Sequence, residues 1–147
     1  MRLLHDLRAD LDKPNTVHGD TPAGIAAHKG HTAIVQLLHD LGADVHRARN
    51  NGSRPIHSAA REGRDKTVLL LISLRADIEA MNGPIGSSLM LAAKFGHLGV
   101  VKVLIDAGAG NLGIAVTAAT LRGRHEVVKY LRSIQEESQV AAIGEVD

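Results

Sequence analysis

Residues 19–46 read GDTPAGIAAHKGHTAIVQLLHDLGADVH, and this stretch predicts two short helices separated by a glycine. Ala26 and Ala27 are small enough to let a neighbouring helix approach closely. Gly30 suits the position just past a helix C-terminus. From Ile34 onward, apolar residues at i, i+1, i+3 and i+4 share one face of a second helix. The stretch therefore predicts a helix–turn–helix unit that leaves its second helix through Gly-Ala-Asp.

The same unit recurs along the chain with a period of 33 residues, as from Gly30 to Gly63 and from Gly63 to Gly96. The alanine pair follows the same spacing, at 26–27, 59–60 and 92–93. A fixed period of this length is typical of repeat arrays, in which each unit buries its apolar face against its neighbours.

The repeated unit resembles the ankyrin repeat. Three segments follow that family's pattern and a weaker fourth extends it: Gly19–His46, Gly52–Glu79, Gly86–Gly110 and Ile114–Leu131. Near the N-terminus, Leu3–Leu7 repeats Leu37–Leu41 residue for residue, which indicates a half-repeat. The resemblance implies an all-α solenoid of antiparallel helix pairs with hairpin-like loops. The expected bounds are a half-repeat at 1–18, repeats at about 19–51, 52–84, 85–110 and 111–133, and an acidic tail at 134–147 that frays.

The glycines at 108, 110 and 113 also fit the GxGxxG spacing of a dinucleotide-binding turn. That turn requires a strand before it and a helix after it. Val100–Ile105, however, occupies the same position in its repeat as earlier segments that are predicted to be helical. From Ala109 to Ala119 is ten residues, whereas from Ala43 to Ala59 is sixteen. We therefore interpret the glycine-rich stretch as a shortened loop between repeats.

Ankyrin repeats carry a Thr and a His in their TPLH motif, which brace the turn before the first helix. No repeat here keeps both: Thr21 is paired with Gly24, and His57 with Arg54. We therefore predict a modestly stable array that is weakest at the fourth repeat, since each lost hydrogen bond costs about 1 kcal/mol. The family's Gly-His histidines, His31 and His97 here, are expected to make a local structural bond.

Composition excludes several functional classes. The chain has no cysteine, which excludes a disulfide scaffold, a thiolate zinc site and a cysteine nucleophile. No serine lies in a G-x-S-x-G turn, and the nine histidines lack metal-ligand spacing. We therefore predict no catalytic site, no metal and no cofactor. The first residues do not form a signal peptide, so we expect the protein in the cytoplasm or nucleus. We also expect it to be a monomer.

The family's concave face suggests a binding site. It uses the two residues after the alanine pair and the loop residues that form fingers between repeats. Four basic side chains, one per repeat, are expected to form a ridge with spacings of about 10 Å, although solvated charge is the competing interpretation. Phe95, the only phenylalanine, is a candidate hot spot. The expected contact residues are His28, Lys29, Arg61, Glu62, Lys94, Phe95 and Arg122 on the helices and Arg47, Arg49, Asn50, Asn51 and Ser53 in the first full finger.

These positions predict a non-catalytic module that binds another protein, with an acidic surface or peptide as the partner and no small-molecule substrate. One alternative is a targeting or scaffolding segment of a larger multidomain protein. Another is a binder of nucleic acid or anionic lipid, which the net charge of +1 and the scarcity of aromatic residues disfavour.

Overall fold

A computed structural model describes residues 10–144, and its architecture is all-α, as predicted. No strand forms in this span beyond an isolated bridge between Asn82 and Gly86. A short 3-10 helix covers Gly83–Ile85. The α-helices are α1 Pro22–Lys29, α2 Thr32–Asp40, α3 Pro55–Arg61, α4 Asp65–Ser73, α5 Ser88–Phe95, α6 Leu98–Asp106, α7 Leu112–Leu121 and α8 His125–Gly144.

The helices form two stacked layers. Helices α1, α3, α5 and α7 pack in sequence against one another and form the inner layer, and α2, α4, α6 and α8 form the outer layer. Each inner helix also packs against the outer helix that follows it in the chain. The result is the repeat solenoid that the 33-residue period predicts.

The core is aliphatic. Ile56, Leu71, Leu104 and Leu131 are among the largest fully buried side chains. Burial of each such side chain contributes about 1.5–3 kcal/mol. The paired alanines of α1, α3 and α5 are almost fully buried, so the inner helices approach closely.

Two glycines that end inner helices, Gly30 and Gly96, also lie against a side chain of the next helix pair. Gly30 and Gly96 have left-handed φ values of 76° and 79°. A Cβ on Gly30 would meet the side chain of Arg64, which lies in the next helix pair. The expectation that His97 makes a local hydrogen bond is wrong. Its Nε2 donates instead to the carbonyl of Arg61, in the preceding helix pair, at 2.8 Å.

Each loop between helix pairs projects from the layers as a finger. Residues 41–54 form the first finger and residues 74–87 the second. Only residues 107–111 join α6 to α7. In this short loop, Gly110 donates its N–H to Glu79 Oε1 at 2.7 Å. Val100–Ile105 lies within α6, so the strand that a dinucleotide-binding turn requires is not there.

The C-terminal tail is helical in the residues described, because α8 continues to Gly144. The apolar repeat pattern ends at about Ser133, but Gln, Glu and Ala favour helix, and neither Pro nor Gly interrupts the segment before Gly144. Residues 1–9, the first half of the predicted N-terminal half-repeat, lie outside the described residues. From Asp12 onward the chain contacts the first finger, where Asp12 Oδ1 accepts the N–H of Asp44 at 2.8 Å.

Candidate functional site

The ends of the inner helices bring an aromatic ring and two cations together. Phe95 is the last residue of α5 and is half-buried. The guanidinium carbon of Arg61 lies 5.4 Å from its ring centroid, and Lys94 Nζ lies 5.8 Å from it. Both distances are within the range of cation–π attraction. We call Arg61, Glu62, Lys94 and Phe95 the aromatic cluster.

The aromatic cluster has mixed charge. Glu62 Oε1 lies 3.8 Å from Arg61 Nε and 3.8 Å from His28 Nδ1. These distances allow electrostatic attraction, but solvent screens it because Arg61 and His28 are exposed. The cluster is therefore less basic than the expected ridge.

The four basic residues of the expected ridge do not occupy one register position. Arg61 and Lys94 stand at the first position after the small-residue pair, whereas Lys29 and Arg122 stand at the second. Lys29 and Arg122 are exposed, and neither makes an ion pair or cation–π contact within the described part of the chain. The structure brings only Arg61 and Lys94 around the ring.

Polar side chains hold the first finger together and join it to Asp20, which precedes α1. Arg49 Nη1 forms an ion pair with Asp20 Oδ1 at 2.8 Å, and Arg49 Nε donates to Asn51 Oδ1 at 3.2 Å. Asn51 Oδ1 also accepts the N–H of Ser53 at 2.9 Å. Much of the charge of Arg49 is therefore compensated before any partner binds.

Two other predicted finger residues point elsewhere. Arg47 Nη1 donates to the carbonyl of Asp12 at 3.3 Å, which directs it toward the N-terminal segment. The Asn50 side chain occupies the space that a Cβ on Gly19 would take. Both therefore serve contacts between neighbouring segments.

A recess of about 110 Å³ lies between the two fingers and the inner helices. Five predicted contact residues line it: His28, Arg49, Asn51, Ser53 and Arg61. Sequence reasoning missed the other five lining residues, His57, Ser58, Asn82, Ile85 and Leu91. Asn82 precedes Gly83, and an Asn-Gly pair predicts a tight turn and not a binding residue.

His57 links α3 to the second finger beside this recess. Its Nδ1 accepts the N–H of Arg54 at 3.0 Å, so its Nε2 carries the proton and donates to the carbonyl of Ala80 at 2.8 Å. The pKa of His57 is lowered, chiefly because burial disfavours the charged imidazolium and secondarily because Arg54 is nearby. The hydrogen bond to Ala80 and the charge of Asp77 oppose this shift in pKa. His57 is thus a fixed, neutral group beside the recess.

Between residues 10 and 144, no three His, Cys, Asp or Glu side chains lie together as metal ligands would. Within the same residues, none of the helices combines the length and the apolar composition that crossing a bilayer requires.

Stacked helix pairs with fingers along one edge define a repeat protein with an extended surface. A family model of ankyrin repeats in three copies matches residues 1–82, and a single ankyrin repeat model matches residues 87–116. The chain belongs to the ankyrin repeat family.

Three relatives show how far the similarity extends. The fem-1 homolog A-like protein of Mus musculus is 34% identical over 104 residues, which are 71% of this chain and 16% of that protein. The ankyrin repeat and KH domain-containing protein mask-1 of Caenorhabditis elegans is 32% identical over 109 residues, which are 74% of this chain and 4% of that protein. Protein phosphatase 1 regulatory subunit 27 of Mus musculus is 36% identical over 86 residues, which are 55% of this chain and 52% of that protein. The chain thus spans less than two thirds of the length of each.

Proposed function

We propose that the chain is a non-catalytic module that binds a partner protein through the ends of α1, α3 and α5 and the first two fingers. The aromatic cluster carries this proposal. Phe95 is the only phenylalanine of the chain, and the structure leaves it half-buried between two cations. Aromatic and arginine side chains supply most binding hot spots.

The chemistry of the cluster favours a partner segment with an apolar and an acidic side chain next to each other. The apolar group would cover the ring of Phe95, and the carboxylate would pair with Lys94 and Arg61. Lys29 and Arg122, which are exposed at the ends of the neighbouring helices α1 and α7, would add attraction at longer range. The compensating charges of Asp20 and Glu62 argue against a polyanion such as nucleic acid.

The relatives support protein binding in general. One of them is named a regulatory subunit of protein phosphatase 1, and a regulatory subunit acts by binding another protein. That partner belongs to that relative and is not assigned to this chain.

A capture experiment tests the proposal. The intact chain, a Phe95→Ala variant and a variant with Lys29, Arg61, Lys94 and Arg122 changed to Glu are each used to capture proteins from cell lysate. The control variant carries the same number of Lys or Arg to Glu changes on the outer helices, at Lys66, Lys102, Lys129 and Arg132, which are all exposed. We expect a protein that the intact chain and the control retain and both inner-layer variants lose. Equal retention by all four chains would place the contact elsewhere.

A second candidate is the same binding activity within a longer scaffolding or targeting protein. The relatives favour it, because the matched segments form 16% and 4% of two of them. An antibody against the repeats would detect a cellular protein well above 15.6 kDa if this candidate is right.

A further inference from the structure

One side of each inner helix faces the helix pair that follows it. In α1 the residue two positions before the glycine is His28, whose Nδ1 lies 3.8 Å from Glu62 Oε1 of the next pair. In α3 it is Arg61, which lies over the ring of Phe95 of the next pair. The corresponding residue of α7 is Leu121. Leu121 therefore lies on the side of α7 where a following pair would pack.

That side of α7 is apolar and exposed. Leu121 is 79% exposed and Ile114 is 55% exposed. They are seven residues apart, which is close to two helical turns, so they share one face of α7 with Ala118 between them. The three corresponding residues of α3 are polar, namely Arg54, Ser58 and Arg61. We call Ile114, Ala118 and Leu121 the α7 stripe.

The α7 stripe has no neighbouring helix pair. Among the described residues, α7 packs against α5 and α8, and no further helix lies on its other side. Gly30, Gly63 and Gly96 each lie against a side chain of the next pair, whereas a Cβ on Gly123 would meet nothing within 4 Å. Two large apolar side chains are thus left in water, and covering them is favourable.

The α7 stripe is complementary to itself when two helices run antiparallel. A twofold axis through the middle of the stripe places Ile114 of each copy against Leu121 of the other. Thr117 and Ala118 lie at the crossing point, and their small side chains allow the two helices to approach closely. A second copy of the chain therefore presents an apolar stripe with the required spacing.

The charges at the two ends of α7 fit the same arrangement. Arg122 is exposed at the C-terminal end and forms no ion pair within the described part of the chain. Glu79 is exposed beside the N-terminal end, where its Oε1 accepts the N–H of Gly110 at 2.7 Å. Antiparallel helices bring these opposite charges together, whereas parallel helices would bring like charges together. The net charge of +1 adds little repulsion between two copies.

We propose that two copies of the chain associate through the α7 stripe, with their α7 helices antiparallel. The interface buries Ile114 of each copy against Leu121 of the other and brings Arg122 close to Glu79 of the second copy. The aromatic cluster lies outside this interface, because it belongs to the ends of α3 and α5. The dimer therefore presents the proposed binding surface twice, which strengthens binding to a partner that has two matching segments.

Sedimentation of the full chain tests the inference at concentrations from about 1 μM to about 1 mM, which cover weak interfaces. We expect the mass to rise with concentration from 15.6 kDa toward twice that value. Ile114→Asp and Leu121→Lys should each weaken association at least about tenfold, because each buries an unpaired charge in the dimer. Their unfolding midpoints should change little, because both positions are exposed and each charge suits its end of the helix.

A mixture of the two variants tests the antiparallel pairing. A mixed dimer contains one Asp–Lys contact and one natural contact between Ile114 and Leu121, so it should form although neither variant associates alone. Leu69→Lys is the matched control, because it removes an exposed leucine from α4 and should leave association unchanged. Phe95→Ala should also leave association unchanged, so this inference and the proposed function can fail separately.

Three results would overturn the inference. The first is the mass of one chain at every concentration, which would agree with the monomer expected from the sequence. The second is association that survives both single variants, and the third is a mixture that stays monomeric. A monomeric chain that loses a captured partner on Leu121→Lys would assign the α7 stripe to a different protein instead.

Discussion

Arg64 lies over Gly30 and donates its Nε–H to the carbonyl of His28 at 3.2 Å. The relationship recurs along the stack. His97 lies over Gly63 and bonds the carbonyl of Arg61, and Arg124 lies over Gly96 and bonds the carbonyl of Lys94. Each of these glycines therefore meets two requirements at once. It takes a left-handed conformation, and it leaves room for a side chain of the next helix pair.

Gly63→Ala should destabilise the chain more than Gly123→Ala. Both glycines have positive φ, 72° and 65°, so each variant costs about 1–2 kcal/mol in conformational strain. At Gly63 the new Cβ would also meet the His97 ring at 2.5 Å, whereas nothing lies within 4 Å at Gly123. Displacing His97 adds about 1 kcal/mol for its bond to Arg61. Urea unfolding measures the free energy of unfolding of both variants. Equal losses of stability would show that the contact between Gly63 and His97 contributes nothing.

Lowering the pH should destabilise the chain through His57. Its pKa in the folded chain is lowered from 6.5, so below that value the unfolded chain binds a proton that the folded chain does not. Stability from this group is complete above 6.5 and falls as the pH drops toward the lowered pKa, by up to about 1.4 kcal/mol per pH unit. Unfolding free energies between about pH 7.5 and about pH 5.5 check this. The difference in slope between the natural chain and His57→Gln isolates the residue, and identical slopes would contradict the prediction.

Ser88→Ala should leave stability unchanged or raise it by about 1 kcal/mol. The Ser88 hydroxyl is fully buried in α5 and has no partner among the described residues. Ser87→Ala is the matched control, because Ser87 Oγ accepts the N–H of Met90 at 3.3 Å and caps the same helix. Thermal melting should show a lower melting temperature for Ser87→Ala and an equal or higher one for Ser88→Ala. A lower melting temperature for Ser88→Ala would mean that its hydroxyl is bonded in solution.

Leu104→Ala should cost about 2–5 kcal/mol. Leu104 is 0% exposed in α6, where it packs in the aliphatic core. Leu69→Ala, on the exposed side of α4 at 58% exposure, should change stability by less than about 0.5 kcal/mol. Denaturant unfolding of both variants is the measurement. Similar values for the two would contradict the burial of α6.

Helix α7 should exchange its amide hydrogens faster than α5. Asn111 precedes α7 in a left-handed conformation and makes no side-chain cap, and the buried residues of α7 are only Ala115 and Ala119. Helix α5 has the Ser87 cap and buries Leu89 and Leu91. Local opening is easier where fewer apolar groups are buried. Hydrogen exchange by mass spectrometry measures the difference, and stronger protection of α7 would refute the predicted weakness of the fourth repeat.

The sequence alone determined the class of fold and the place of the helix pairs. The repeat period, the alanine pairs and the glycines at helix ends are visible in the sequence itself. They therefore predict the helix pairs without knowledge of tertiary contacts. Val100–Ile105 is helical, as its register predicts. The helix of the tail follows from helix propensity, because the repeat pattern ends at about Ser133.

Only the tertiary structure decided which side chains meet. Arg49 and Asp20 are 29 residues apart, and His97 lies 36 residues from the carbonyl it bonds. Phe95 receives Arg61 from the preceding helix pair. Such contacts depend on how the pairs stack, and each sequence position offers several side-chain directions before stacking fixes one. The neutralised finger, the mixed charge around Phe95 and the exposure of the α7 stripe therefore follow from packing between pairs, which a repeating pattern of residues does not encode.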